Sequence, residues 1–124
     1  MPKTILIVDD HADIRRLLRM TLEFEDYEIF EVADGEAALR FLAERHADVV
    51  LLDVMMPGAL NGLDVCRHIR AGGLQQGTHV LLLSARGQAS DREAGLQAGA
   101  DVYLVKPFSP LQLIDCLAEL PALA

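Results

Sequence analysis

The sequence predicts an α/β fold, a doubly wound parallel sheet with helices on both faces, from three observations. Short apolar runs alternate with amphipathic runs along the whole chain, five of each in 124 residues. Three of the apolar runs have no polar face, which is how central parallel strands covered on both sides read. Right-handed crossovers between parallel strands then place helices above and below an open sheet.

The first strand is TILIV, Thr4 to Val8, ending at Asp9 and Asp10. From about Ala12 to Phe24, Ile14, Leu17, Leu18 and Leu22 recur at helical spacing beside Arg15, Arg16 and Arg19. The run Tyr27 to Val32 alternates as a second strand does. Asp34 is placed to cap a second helix running to about His46, with Ala37, Ala38, Phe41 and Leu42 inward. The third strand, Asp48 to Leu52, is apolar throughout and ends at Asp53. A loop follows, marked by Pro57, Gly58, Asn61 and Gly62, and then a helix to about Arg70. His79 to Ala85 is the fourth strand. Gln88 to Ala98 reads as a weak helix, because Gly95 interrupts it at about 1 kcal/mol relative to alanine. Gly99 suits its C-terminal end. Asp101 to Val105 is the fifth strand, ending at Lys106 and Pro107. Ser109 caps the last helix, Pro110 takes its favoured first position, and Pro121 stops it. One domain over residues 1–124 accounts for all of these elements.

Composition narrows the function. The formal net charge is −8, which argues against general affinity for nucleic acid or an anionic membrane. No apolar run approaches the roughly 20 residues of a membrane span, and the N-terminus has no signal-peptide pattern. Cys66 and Cys116 lie far apart in helical segments, as reduced thiols of a cytoplasmic protein would. The histidines and cysteines lack zinc-ligand spacing.

The strongest signal is repetition at one edge. Asp9 and Asp10 follow strand one, Asp53 follows strand three, Ser84 closes strand four, and Lys106 follows strand five. Open α/β sheets bind ligands beyond these carboxyl ends. Any one aspartate there reads as a cap or turn residue; the set does not. Three carboxylates in one crevice repel each other, and oxygen donors of this kind suit Mg²⁺, which uses few carboxylates plus water and phosphate oxygens. Lys106 supplies a second positive charge. One carboxylate is then left as a nucleophile toward phosphorus, a reaction that needs mainly positioning and charge neutralisation.

The segments LIVDD, LLDVMMP, LLLSA and VKPF together resemble those of response-regulator receiver domains of two-component signalling, over nearly the whole chain. The resemblance implies strand order 2-1-3-4-5, the flavodoxin-like order, which is a property of the family and not a reading of these residues. It implies that Asp53 is the phosphoacceptor, with Asp9, Asp10, Asp53 and the Met55 backbone carbonyl as Mg²⁺ ligands. It makes Ser84 the switch hydroxyl, Lys106 the phosphate-binding lysine and Tyr103 the aromatic whose rotamer reports activation. Tyr103 reads equally as half-buried packing. Pro107 follows a cis peptide bond in relatives. The donor would be a histidine kinase or phosphotransfer protein, and the output a contact with a downstream protein through the face of helix four, strand five and helix five.

Two features depart from the family pattern. The loop after Pro57 is one residue longer than usual, and Arg86 stands two residues after Ser84, where many relatives carry a residue that influences dephosphorylation. Neither Met55 nor Arg86 offers a carboxylate or amide to orient an attacking water, so a fairly persistent phosphoryl group is expected.

Other features carry two readings each. His11 reaches the rim of the site or is an ordinary surface histidine. Arg15, Arg16 and Arg19 form a solvated stripe or help bind the kinase, as this helix does in relatives. The last helix has Leu111, Leu113, Ile114, Leu117 and Leu120 and no lysine or arginine, so it is either deeply covered or exposes a patch for a partner. It lacks the basic residues that one group of DNA-binding relatives uses to pair receivers, which leaves a monomer or weak dimer. Three alternatives compete: a haloacid-dehalogenase-type phosphatase, which wants a second acid where Met55 stands; a flavin carrier, which wants a hydroxyl- and glycine-rich loop where Asp9, Asp10 and His11 stand; and a receiver fold that binds partners without being phosphorylated.

Overall fold

Short apolar runs flanked by amphipathic helices have one economical solution, and the computed structural model, which describes residues 3–120, adopts it. The strands are β1 (Lys3–Val8), β2 (Tyr27–Val32), β3 (Val49–Asp53), β4 (His79–Ser84) and β5 (Val102–Val105). The helices are α1 (Ala12–Leu22), α2 (Gly35–Glu44), α3 (Gly62–Arg70), α4 (Ala89–Gln97) and α5 (Pro110–Ala118), with a short 3₁₀ turn at Gly73–Gln75. All strands are parallel, in the order β2-β1-β3-β4-β5. The expected stop at Pro121 lies outside the described residues.

The register explains the two-sided apolar runs. Ile5 pairs with Val49 and Leu6 with Val50, so successive residues of the central strands feed opposite layers. Leu6, Val8, Val50, Leu52, Val80 and Leu82 pack against α2 and α3 through Ala38, Leu42, Val65 and Ile69. Ile5, Ile7, Val49, Leu51, Leu81 and Leu83 pack against α1 and α5 through Leu18, Leu22, Leu113 and Leu117. β2 lies at the sheet edge, and there the alternation of YEIFEV leaves every residue partly exposed.

Helix ends follow their capping residues. Asp34 accepts from the Ala37 N–H at 2.8 Å, and Ser109 forms a reciprocal capping box with Gln112 ahead of Pro110. α2 stops at Glu44, short of His46, because Arg45 is extended and its guanidinium lies 4.4 Å from the Phe30 ring centre.

Several local expectations are corrected. Leu17 faces outward and is 52 % exposed, since α1 turns Leu18 and Leu22 to the sheet. The basic stripe of α1 is not a free solvated face. Arg15 and Arg19 both pair with Glu31 of β2, and Arg15 also donates to the Asp9 carbonyl at 2.6 Å, leaving Arg16 in solvent. Gly95 is a close-packing residue: a Cβ there would sit 2.7 Å from Tyr103 Cδ2 and 3.0 Å from Leu82 Cδ1. α5 buries Leu113 and Leu117, half-buries Ile114 and exposes Leu111, and Leu120 just past its end is buried, so the apolar arc is mostly covered.

Candidate functional site

The carboxyl ends of the strands deliver the acids. Asp9 leaves β1 fully buried, Asp10 follows it, and Asp53 ends β3 at 3 % exposure. The residue after Asp53 is fixed at both its backbone groups: Val54 N–H donates to the Leu83 carbonyl at 3.0 Å, and the Val54 carbonyl accepts from Gly62 N–H at 3.0 Å. Gly62 was legible in the sequence only as a loop marker. It is the first residue of α3, and a Cβ there would lie 2.3 Å from the Asp53 carbonyl oxygen, so no larger residue lets α3 start this close to the site. Asn61 caps that helix in a capping box with Asp64, which fixes the end of the long loop.

Lys106 reaches across from β5. Its Nζ lies 3.2 Å from Asp9 Oδ2 and 3.4 Å from Asp53 Oδ1, joining residues 97 and 53 positions away in the chain. The Lys106–Pro107 peptide bond is cis. Asp10 Oδ1 is buried without a hydrogen-bond partner. The Met55 N–H donates to Asp53, and its side chain lines the pocket with His11, Ile14, Asp53, Ala85 and Lys106.

Charge is unbalanced in this pocket. Burial pushes the Asp53 carboxyl above its ordinary proton affinity, the neighbouring Asp9 charge pushes it further, and Lys106 and the Met55 N–H pull back only in part. Ligand atoms of Asp9, Asp10, His11 and Asp53 all lie within 4.8 Å of one another. Hard oxygen donors, excess negative charge and an unpartnered Asp10 oxygen are the features a small divalent cation answers. The residues present therefore fit Mg²⁺.

The other expected residues sit nearby in different ways. Ser84 is fully buried, and its Oγ accepts from the Arg86 N–H at 3.0 Å; the pocket wall at this point is Ala85. Tyr103 is 8 % exposed and donates its hydroxyl proton to the Arg86 carbonyl at 2.7 Å. It lines an adjacent hollow with Met55, Asn61, Arg86 and Asp91. The Arg86 backbone thus contacts Ser84 through its N–H and Tyr103 through its carbonyl. Sequence reasoning missed this link and the Arg15 contact to Asp9, because both run through backbone groups that no residue type announces.

A family model described as the response regulator receiver domain matches residues 5–118. The chain belongs to that family. It is 47 % identical over 110 residues to the transcriptional regulatory protein ResD of Bacillus subtilis, covering 89 % of this chain and 44 % of ResD. It is 46 % identical to the response regulator MprA of a Mycobacterium species, covering 99 % of this chain and 51 % of that protein. The receiver therefore spans about half the length of these curated relatives. Among solved structures, chemotaxis protein CheY4 of Vibrio cholerae superposes with a TM-score of 0.89 at 31 % identity, over 97 % of this chain and 99 % of that one. The receiver domain of the sensor histidine kinase PA1611 of Pseudomonas aeruginosa, described with magnesium coordinated in its active-site cleft, superposes with a TM-score of 0.87 at 31 % identity, over 98 % of this chain and 99 % of that one. Five parallel strands in the order 2-1-3-4-5 are shared with these neighbours.

Proposed function

We propose that this receiver accepts a phosphoryl group on Asp53 from a histidine kinase or phosphotransfer protein and passes the signal to a downstream protein. The observation that carries the reading is Lys106 Nζ set 3.2 and 3.4 Å from Asp9 and Asp53, beside an acidic cluster short of positive charge. Asp9, Asp10, Asp53 and the Met55 carbonyl would hold Mg²⁺, as the magnesium-bound receiver of PA1611 supports. The bound cation would supply positive charge to the phosphoryl oxygens.

This chain's own residues do the rest. An Asp53 carboxylate oxygen forms the new bond to phosphorus as the bond to the donor breaks, and the donor leaves with that electron pair. Lys106 neutralises charge on the transferred oxygens. Burial of Asp9 and Asp53 strengthens each of these interactions. Ser84 then responds to the new group, and Tyr103 responds through the Arg86 backbone that both side chains contact. The face made by α4, β5 and α5 is where a partner reads the change. Self-phosphorylation and its reversal are the whole of the catalysis, and Met55, exposed where a phosphatase of the haloacid-dehalogenase type needs an acid, supports that reading.

We place the receiver in the cytoplasm as one domain, monomeric or weakly dimeric. No helix among the described residues is long and apolar enough to cross a membrane. The exclusion of nucleic acid applies to these 124 residues, whose net charge is −8; ResD, named a transcriptional regulatory protein, is about twice as long. Incubation with acetyl phosphate or a phosphorylated donor is expected to put a base-labile label on the wild-type chain and none on Asp53→Asn. Retained base-labile label in the variant overturns the assignment.

A further inference from the structure

One side chain of the acidic cluster is not an acid. His11 occupies the N-cap of α1, yet its ring makes no capping bond to the helix. Its backbone N–H donates to Asp9 Oδ1 at 2.8 Å, and this turns the ring back over the pocket. Nδ1 lies 3.0 Å from Asp9 Oδ1 and 3.2 Å from Asp10 Oδ1, the oxygen that has no hydrogen-bond partner. The ring also lines the same hollow as Asp53, Met55 and Lys106. An imidazole nitrogen thus stands among three carboxylates, facing the place where their charge converges.

We infer that His11 is a fourth donor side chain of this pocket and shifts its cation preference from Mg²⁺ toward imidazole-seeking divalent metals such as Ni²⁺ and Zn²⁺. The inference rests on the reading of the pocket as a divalent-cation site. Facing Asp9 Oδ1 alone, Nδ1 carries the ring proton and donates it; with a cation in the pocket the Nε2–H tautomer presents the Nδ1 lone pair instead. Mg²⁺ prefers oxygen and gains little from such a donor, whereas imidazole suits Zn²⁺, Cu²⁺ and Ni²⁺, whose affinities for mixed nitrogen and oxygen sites already exceed those of harder cations. An imidazole that merely paired with the acids would act on every cation alike. A donor imidazole acts on the ratio of affinities.

The test is calorimetric titration of the full chain, of His11→Ala and of His11→Gln with Mg²⁺ and with Ni²⁺. The ratio of the Mg²⁺ to the Ni²⁺ dissociation constant is expected to fall about tenfold or more in His11→Ala, with His11→Gln failing to restore it. Pulsed paramagnetic resonance of the Cu²⁺-loaded chain adds a spectroscopic readout: coupling to an imidazole nitrogen, lost in His11→Ala and in Asp10→Asn. An unchanged ratio, or nitrogen coupling that persists in His11→Ala, overturns the inference. If the wild-type chain binds Mg²⁺ and is labelled on Asp53 while the ratio ignores His11, the inference alone is wrong. If it neither binds Mg²⁺ nor takes label, the pocket reading fails and this inference with it.

Discussion

The two rims of the same sheet are built on opposite electrostatic terms. At the amino ends of the strands, Asp48 accepts the Thr4 N–H at 2.7 Å. Asp101 accepts the Val80 N–H at 2.8 Å and an Arg70 N–H at 2.7 Å. Gln75 accepts from Ala47 and donates to the Leu42 and Arg45 carbonyls, and Thr78 donates to the Ala47 carbonyl. His79 Nε2 is the one buried side-chain atom without a partner at this rim among the described residues. At the carboxyl ends, Lys106 is shared by Asp9 and Asp53 and does not reach Asp10, one buried Asp10 oxygen has no hydrogen bond, and the Asp53 carboxyl is held above its ordinary proton affinity by burial and then by Asp9. Acids at one rim close the sheet; acids at the other are left short of charge and open to ligands. Each rim leaves one buried atom without a partner, so what distinguishes the candidate site is its uncompensated negative charge.

Removing the lysine should break the carboxyl rim most sharply. Lys106→Met keeps the stem and deletes the positive charge. Labelling by acetyl phosphate is expected to slow by about 10²-fold, the usual loss when one preorganised charge-stabilising group is removed. A labelling rate within error of wild type would show that Lys106 is only an ion-pair partner of Asp9. The matching change at the other rim is Asp101→Ala, which strands the Val80 N–H and leaves the Arg70 guanidinium only its bonds to the Gly99 and Thr78 carbonyls. It is expected to cost about 1–2 kcal/mol of stability in denaturant melts, chiefly for the Val80 N–H, and to leave labelling at the wild-type rate. Slowed labelling with intact stability would mean that the rims are coupled and the contrast is false.

Gly95 tests the layer that joins β5 to α4. Gly95→Ala gains about 1 kcal/mol of helix propensity. It also drives a methyl group against Tyr103 and Leu82, at an overpacking cost of about 1–3 kcal/mol. A net loss of about 1 kcal/mol is expected, with Tyr103 more open to nitration as the ring is pushed from the Arg86 carbonyl. A stabilised variant with a protected Tyr103 would return Gly95 to the role of a simple helix breaker.

That glycine also shows where sequence reading stops. The strands were legible because their signals are local: YEIFEV alternates, and β1, β3 and β4 carry apolar residues on both faces. The acidic pair, Asp53 and Lys106 were legible because each directly follows such a run. Strand order was not local, and came from family resemblance. Gly95 reads as a breaker in its own helix, but its neighbours Leu82 and Tyr103 come from two strands. Arg15 and Arg19 read as a solvated stripe because nothing in α1 announces that Glu31 of the edge strand lies beneath them. The end of α2 moved for a like reason, since the Phe30 ring that holds Arg45 belongs to β2.

The smallest expected effect is on stability, and it runs against intuition, because deleting the charge of the proposed phosphoacceptor should strengthen the fold. The Asp53 carboxyl binds its proton more tightly in the folded chain than in the unfolded one, first through burial and then through Asp9. The stability tied to that proton is fully present below the ordinary carboxylate range and is lost as pH rises through the raised folded value. Asparagine has no such proton to lose. In metal-free buffer Asp53→Asn should therefore melt slightly above wild type at neutral pH, and the gap should close on acidification as wild-type Asp53 becomes neutral. Thermal melts of both chains with a chelator, from neutral to acid pH, read this directly. A variant that melts below wild type at neutral pH would mean that the Asp53 charge is compensated by Lys106, and that the carboxyl rim is as well satisfied as the amino one.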